Sequence, residues 1–467
     1  MKYLLHSFLL LVIATGLHAQ SFTLSNTDTI SGYGYYHPQI EITHDNYPIA
    51  IWTNNSSKSI FSAKHNGSGF DSPLQLNPPG LQIQAYNWSG ADLAIWENNV
   101  YIVYRSLGYE TGHIYLVKST DNGATFGDTV RVDQLSVGYG QYPDVAVFND
   151  TVYVTFMDHD ANSTNPQYVV SRSVDGGMTF EDEVLAGALL GDEACDCCQP
   201  EIVAKNKYIV VLLRNNANNI RDIKGVISYD RGASFSNWFS VDDHQWYINA
   251  CPSTGPDTRV TEDNRLLTTY KTEENNTAQI FLNEYSIDQN LSLSMQQLSS
   301  AICLNPNYPQ IAYGNNNIGL VWEGLGQSSD IFFNASNSGI DGLDTLNTIN
   351  ITDNIGPQSK PDIAYDGSNY HIIYVNTSHL EYLQITVPTG ISNGNSIPRS
   401  KIYPNPTKGI LTLEEQVGKT KIFNVYGNLI GTTYSNKLDI TTYANGMYLL
   451  KTSDHQGNVR IQKIVKE

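Results

Sequence analysis

The chain of 467 residues is poor in charge, and in positive charge above all: charged residues make up 16% of it, with 27 Lys and Arg against 46 Asp and Glu. Binding nucleic acid takes clustered cations on one face, so a formal net charge of −19 weighs against such a partner. Helical periodicity is also missing. No long stretch keeps apolar residues three and four apart, which argues against a helical domain. Long apolar runs are confined to the start, MKYLLHSFLLLVIATGLHA, where Lys2 precedes an apolar stretch and small residues end at Ala19. That run is too short for a preferred membrane span and reads as a signal peptide over 1–19, cut before Gln20. No other segment could cross a bilayer. The mature chain is therefore expected to be exported through the periplasm, to a place outside the cell or on its surface, where cysteines tend to pair.

The abundant residues are Tyr (30) and Gly (36), together with Asn, Ser and Thr. This mixture suits many short strands joined by polar turns. One pattern recurs: a Pro followed by an acidic or amide residue, an apolar strand, a polar turn and a second strand. The openings are HPQIEI, SGADLAI, YPDVAV, QPEIVA, GPDTRV, YPQIAY and KPDIAY. Their anchors at Pro38, Ala91, Pro143, Pro200, Pro256, Pro309 and Pro361 are separated by 53, 52, 57, 56, 53 and 52 residues. Seven equal units predict an all-β, seven-bladed β-propeller over 22–388, with six blades as the alternative count. The last unit lacks a strand, which SFTLSN near residue 22 could supply.

Three units carry a further signature, SxDxGx(T/S)F. It stands at Ser119, Asp121, Gly123, Thr125 and Phe126, at Ser173, Asp175, Gly177, Thr179 and Phe180, and at Ser228, Asp230, Gly232, Ser234 and Phe235. SAKHNGSGF (62–70) is a worn copy. Asp can bond the backbone of its own turn, Gly supplies positive φ, and the aromatic buries beneath. These residues resemble the Asp-box (BNR repeat) of the sialidase-like propeller superfamily. The resemblance implies a rim position for these turns and a fold, not a chemistry.

After Ile391 a polar linker (389–400) leads to KIYPNPTKGILTLE and LDITTYANGMYLLK. Tyr403, Pro404, Asn405, Pro406, Gly409, Gly427, Gly446 and Tyr448 closely resemble the C-terminal sorting domain of the type IX secretion system. That implies a small β-sandwich over 401–467 recognised by the secretion machinery. An ordinary carbohydrate-binding sandwich is the alternative.

The repeat also predicts where chemistry sits. The innermost strand opens at one end of the channel and the second strand returns to it. His37, Gly90 (with Trp88 close by), Tyr142, Gln199, Gly255, Tyr308 and Lys360 should therefore share a funnel with Trp52, Arg105, Met157, Arg214, Lys271, Glu323 and Asn376. Asp158, His159 and Asp160 extend the third return. Three basic return positions in so acidic a chain suggest a pocket for an anionic ligand.

All five cysteines precede the anchors of three consecutive units: Cys195, Cys197 and Cys198, then Cys251, then Cys303. One or two disulfides are expected, including a Cys197–Cys198 bridge as one arrangement, with one thiol left over. The alternative is a metal ion, zinc or copper, on Cys195, Cys197, Cys198 and Cys251 with His159 or His37.

The run from Cys195 to Ile223, with WYINACPSTGP, resembles secreted exo-α-sialidase-like proteins. The resemblance implies a glycosidase or polysaccharide lyase acting on an acidic glycan or glycoconjugate. Arg105, Arg214 and Lys271 would hold its acid group, with His37 and Trp88 in the same site. Tyr142 or Tyr308 with Glu323 would be nucleophile or base, and Asp158 or His159 the acid. The sialidase arginine set is incomplete, since the first anchor reads Tyr36-His37-Pro38 without an Arg. A non-catalytic propeller binding glycans or proteins is the second reading.

Overall fold

A computed structural model describes residues 23–386 and 402–467 apart from 26, 33–34, 136–137, 160–165, 192, 300–301, 327, 353–355, 414–418, 425–428 and 454–458. The expected signal peptide, the linker and Asp160 lie outside the described residues. The chain divides into two compact units, up to Thr389 and from Gly390.

The first unit is a ring of seven antiparallel sheets, so the seven-bladed count holds and the six-bladed alternative is set aside. Blade 1 is built on Tyr35–Ile42, blade 2 on Asp92–Trp96, blade 3 on Tyr139–Phe148 and blade 4 on Glu201–Lys205. Blades 5, 6 and 7 start with Asp257–Val260, Leu304–Gly314 and Gln358–Tyr365. Each innermost strand pairs with a second strand that is buried almost throughout, such as Asn99–Ser106 and Tyr208–Asn216. Burial on both faces explains why these strands read as runs of Val, Ile, Leu and Tyr rather than alternating.

The core follows from this geometry. It is split into seven apolar clusters, each shared by two consecutive blades. Tyr35, Ile40, Ala50 and Trp52 of blade 1 pack on Ala364, Ile373, Leu380 and Tyr382 of blade 7, which closes the ring. The missing strand of blade 7 comes from the N-terminal side. Thr23–Leu24 and Asp28–Gly32 both pair with His379–Thr386, with Thr23 opposite Thr386.

The SxDxGx(T/S)F segments form one turn three times. Ser119 Oγ donates to Asp121 Oδ1 at 2.7 Å and accepts the Gly123 N–H at 2.9 Å, while Thr125 gives its N–H and Oγ1 to the two Asp121 oxygens. Asp175 and Asp230 repeat the pattern. Gly123 has φ +81°, and a Cβ there would meet Ile49 Cδ1 of blade 1 at 2.4 Å. Glycine is thus needed for the turn and for its seat on the preceding blade.

The second unit has a three-stranded sheet (Ile402–Tyr403, Ile410–Leu413, Lys437–Asp439) and a four-stranded one (Lys419–Asn424, Leu429–Thr433, Gly446–Ser453, Val459–Lys466). Leu411, Leu413 and Leu438 of one sheet share a core with Ile422, Tyr448, Leu450 and Ile464 of the other. Among the described residues, no helix is long and apolar enough to cross a membrane.

Candidate functional site

At the start of four innermost strands the ladder skips, between Tyr36 and Gln39, Gln141 and Asp144, Asn307 and Gln310, and Ser359 and Asp362. The skipped pairs are His37-Pro38, Tyr142-Pro143, Tyr308-Pro309 and Lys360-Pro361. His37, Tyr142, Tyr308 and Lys360 have φ of 47°, 54°, 49° and 53°. A bulky residue in this region costs about 1–3 kcal/mol, and such strain concentrates where a side chain must be aimed. Here it turns His37, Tyr308 and Lys360 toward a cavity of about 560 Å³ on the propeller axis, also lined by Trp88, Gln199 and Thr254. Tyr142 instead faces a small recess with Tyr86, Gly90 and Arg105. At Gly90, a Cβ would lie 2.8 Å from that of His37, so glycine in blade 2 makes room for the imidazole.

Lys360, Tyr308 and Glu323 form one cluster. The Lys360 Nζ lies 3.2 Å from the centre of the Tyr308 ring and 3.8 Å from Glu323 Oε2, and the same Glu323 oxygen accepts the Lys360 N–H at 2.9 Å. Burial lowers the Lys360 ammonium to about 8, opposed by the Glu323 charge. Burial likewise raises the Tyr308 hydroxyl, which stays protonated near neutral pH. Desolvation brings His37 down to about 4, leaving a neutral imidazole whose Nδ1 is 3.2 Å from Gln39 Nε2. Gln199 donates its amide to Asp92 at 3.0 Å. Trp88 stacks on Tyr86 at 5.0 Å.

Below the mouth the channel is acidic. Glu41, Asp92, Asp144, Glu201, Asp257 and Asp362 line it together with Arg259. Arg259 reaches Asp257 at 2.8 Å, Glu41 at 3.2 Å and Glu201 at 3.7 Å. The carboxylates of Asp362, Asp144 and Asp257 each accept a backbone N–H from the following blade, those of Ile40, Ile202 and Ile311, at 2.6 Å. These residues stitch the ring from inside. Burial pushes Asp144 up to about 7 and raises the other five.

The basic residues expected at the returns sit differently. Arg214 is fully buried and donates to the carbonyls of Thr254, Arg221 and Lys271, tying blade 4 to blade 5. Arg105 donates to the carbonyls of Gly140 and Gly108 and lies over the Tyr139 ring. Lys271 is buried, 4.0 Å from Glu273 and 5.7 Å from the Trp246 ring centre, which also takes Arg214 at 5.1 Å. Their charged ends are thus turned to backbone, carboxylate and rings beneath the rim. His159 is buried and stacks on Tyr139 at 4.5 Å, with Asp158 beside it in the strand. Neither is among the residues lining the cavity. The Tyr142 hydroxyl donates to the Asp196 carbonyl at 3.1 Å.

Cys197 is bonded to Cys251, which corrects the Cys197–Cys198 arrangement and removes two sulfurs from the four-thiolate set. Cys195 and Cys198 stay nearby as buried thiols, whereas Cys303 packs in the apolar cluster of blades 5 and 6. Lys360 stood in the funnel set without a role, and Arg259 stood in none. Its signal was present in GPDTRV, a cation two residues after one of the recurrent acids.

Residues 401–467 match the family model of the secretion system C-terminal sorting domain. The tail is a sorting domain of the type IX secretion system and indicates export to the surface or beyond. No curated protein matches the sequence. Among solved structures, the chain is similar to a Dyadobacter fermentans protein of unknown function (12% identity, 78% of this chain and 99% of that one, TM-score 0.50). It is also similar to an ulvan lyase, a polysaccharide lyase bound to -[GlcA(1-4)Rha3S]- (10% identity, 76% and 95%, TM-score 0.52). A third is the NanB sialidase of Streptococcus pneumoniae (11%, 70% and 71%, TM-score 0.47). At these identities the likeness is one of fold.

Proposed function

We propose that this exported propeller is a carbohydrate-active enzyme whose mouth acts on an acidic glycan, by β-elimination at a uronic acid. The observation that carries the reading is the Lys360–Tyr308–Glu323 cluster, aimed into the axial cavity by strained residues that precede prolines. Lys360, oriented by Glu323, would neutralise the uronate carboxylate and so acidify the adjacent C–H. His37, kept neutral, would accept that proton; the C–O bond to the leaving sugar would break as the ring double bond forms, and Tyr308 would protonate the leaving oxygen. Arg105, Arg214 and Lys271 would support the rim from below. Hydrolysis ordinarily takes two carboxyl groups flanking the bond, whereas Glu323 is engaged by the Lys360 ammonium and N–H, and Asp144, Asp257 and Asp362 of the cavity wall are engaged by backbone N–H groups. The ulvan lyase of similar fold is bound to a uronate-containing saccharide, in keeping with this substrate class. The signal peptide expected over 1–19 and the tail would route the chain through the periplasm to the type IX machinery.

The test is incubation of the purified propeller with ulvan, heparin-type, pectic and sialylated glycans. Elimination predicts an ultraviolet-absorbing unsaturated uronate at each new end. New reducing ends without that chromophore overturn elimination in favour of hydrolysis. Retention on one glycan without any cleavage supports the non-catalytic binder instead.

A further inference from the structure

Four of the five cysteines meet at the loop that leads into blade 4. Cys197 is bonded to Cys251 in the segment before blade 5. Cys195 and Cys198 are completely buried, with sulfurs 3.0 Å apart, and Cys195 Sγ is 3.5 Å from Cys197 Sγ. Uncharged heavy atoms settle at about 3.5–4.0 Å, so the Cys195 and Cys198 sulfurs are pressed together. A shared metal would hold them further apart: with metal–sulfur bonds of about 2.3 Å, tetrahedral thiolates stand roughly 3.8 Å from each other.

The backbone around the pair is pinned. Cys195 N–H donates to the Arg214 carbonyl at 2.8 Å, the Tyr168 hydroxyl donates to the Cys198 carbonyl at 2.5 Å, and the Tyr142 hydroxyl holds the carbonyl of Asp196 between them. These bonds fix the backbone positions of the two cysteines, and complete burial hems in their sulfurs. We propose that Cys195 and Cys198 are an oxidation site, and that the exported protein carries them as a second disulfide closing a four-residue ring. This inference is independent of the reaction proposed for the mouth.

The chemistry is thiol–disulfide exchange with a dithiol oxidoreductase of the export compartment. One protein thiolate attacks the oxidoreductase disulfide and forms a mixed disulfide. The second thiolate displaces the oxidoreductase sulfur, so both electrons leave with the oxidoreductase, whose two sulfurs take up the two thiol protons. Either cysteine can make the first attack, because the exchange comes before the two sulfurs are buried against each other. Complete burial places the reaction before the loop closes during folding. Cys303, pushed up to about 11 by burial among apolar side chains, is then the one remaining thiol. The second bond also fixes Gln199, the next residue, against Asp92 at the mouth.

The test is to denature the exported protein without reductant, alkylate it, and map its peptides by mass spectrometry. The expected result is one alkylated cysteine, Cys303, a Cys195–Cys198 bond within one peptide, and Cys197 linked to Cys251. Alkylation at Cys195 and Cys198 overturns the proposal, and so does their recovery as thiols together with a stoichiometric metal. Cys195→Ser should expose Cys198 to alkylation once the chain is denatured. Should that variant not accumulate, the mapping of the unaltered protein still decides. Under native conditions a mild reductant should open the exposed Cys251 bond first, leaving the buried one intact.

Discussion

The ammonium of Lys360 lies 3.2 Å from the centre of the Tyr308 ring, closer than to any oxygen of Glu323 recorded for it. A cation held over an aromatic face and beside one carboxylate is only partly neutralised, which leaves charge for a ligand. The same burial sets its working range. Lys360 is a cation below about 8 and loses its proton above it.

The proposed elimination should therefore fall away on the alkaline side, by about tenfold for each pH unit above 8, because the carboxylate is no longer neutralised. Lys360→Arg keeps its charge to far higher pH, so its alkaline limb should move upward even if its rate is lower. Lys360→Ala should lose about 10²-fold or more. Initial rates across pH 6 to about 10 decide this, and an unmoved limb in the arginine variant removes Lys360 from the step. His37 is neutral down to about 4, so no His37 inflection should appear between pH 5 and 7.

The channel acids make a prediction of opposite form, about stability. Asp144 is raised to about 7 in the folded chain, above its unfolded value of about 3.9. The folded state therefore binds the extra proton between these values. The stability this contributes is complete below the unfolded value and lost as pH rises through 7. Asp144→Asn keeps a carbonyl oxygen for the Ile202 N–H and has no proton to lose. Its melting temperature should drop less than that of the unaltered protein between pH 5 and pH 8. An equal drop in both would assign the pH dependence elsewhere.

Arg259→Met removes the cation that these carboxylates surround. Stripping one partner from a buried ionic network costs about 3–5 kcal/mol, because the remaining charges are left uncompensated. The loss should be greatest at pH 8 and smaller at pH 5, where the raised acids are protonated. Denaturant unfolding at the two pH values measures it, and equal losses would count against electrostatic compensation by Arg259.

Much of the ring was legible because each unit must repeat the same burial. Seven anchors of nearly constant spacing, the SxDxGx(T/S)F turns and even the strand donated by SFTLSN follow from local pattern plus closure. The site was less legible. His37, Tyr308 and Lys360 line one cavity and Glu323 touches Lys360, but spacing does not say which way a side chain turns there. Arg214 and Arg105 lie at the expected height, and their guanidinium groups turn into the blade interfaces because unpaired carbonyls of the neighbouring blade await donors. The role of Arg259 is not legible from sequence, because a cation on an innermost strand has meaning only once the acids of the other blades are set around it.

Arg214 separates support of the mouth from direct ligand binding. Its three donor nitrogens each meet a backbone carbonyl, of Thr254, Arg221 and Lys271. Arg214→Ala strands three buried acceptors at about 1–3 kcal/mol each, so the main effect should be a melting temperature lowered by many degrees. Arg214→Lys, with one charged nitrogen, should recover only part of the loss, because a single ammonium cannot span carbonyls presented by two blades. Well below its melting point, the lysine variant should hold an acidic glycan within about threefold of the unaltered protein, a shift under 1 kcal/mol. A loss of 100-fold or more in binding, with the melting temperature unchanged, would place Arg214 in contact with the ligand and reverse this assignment.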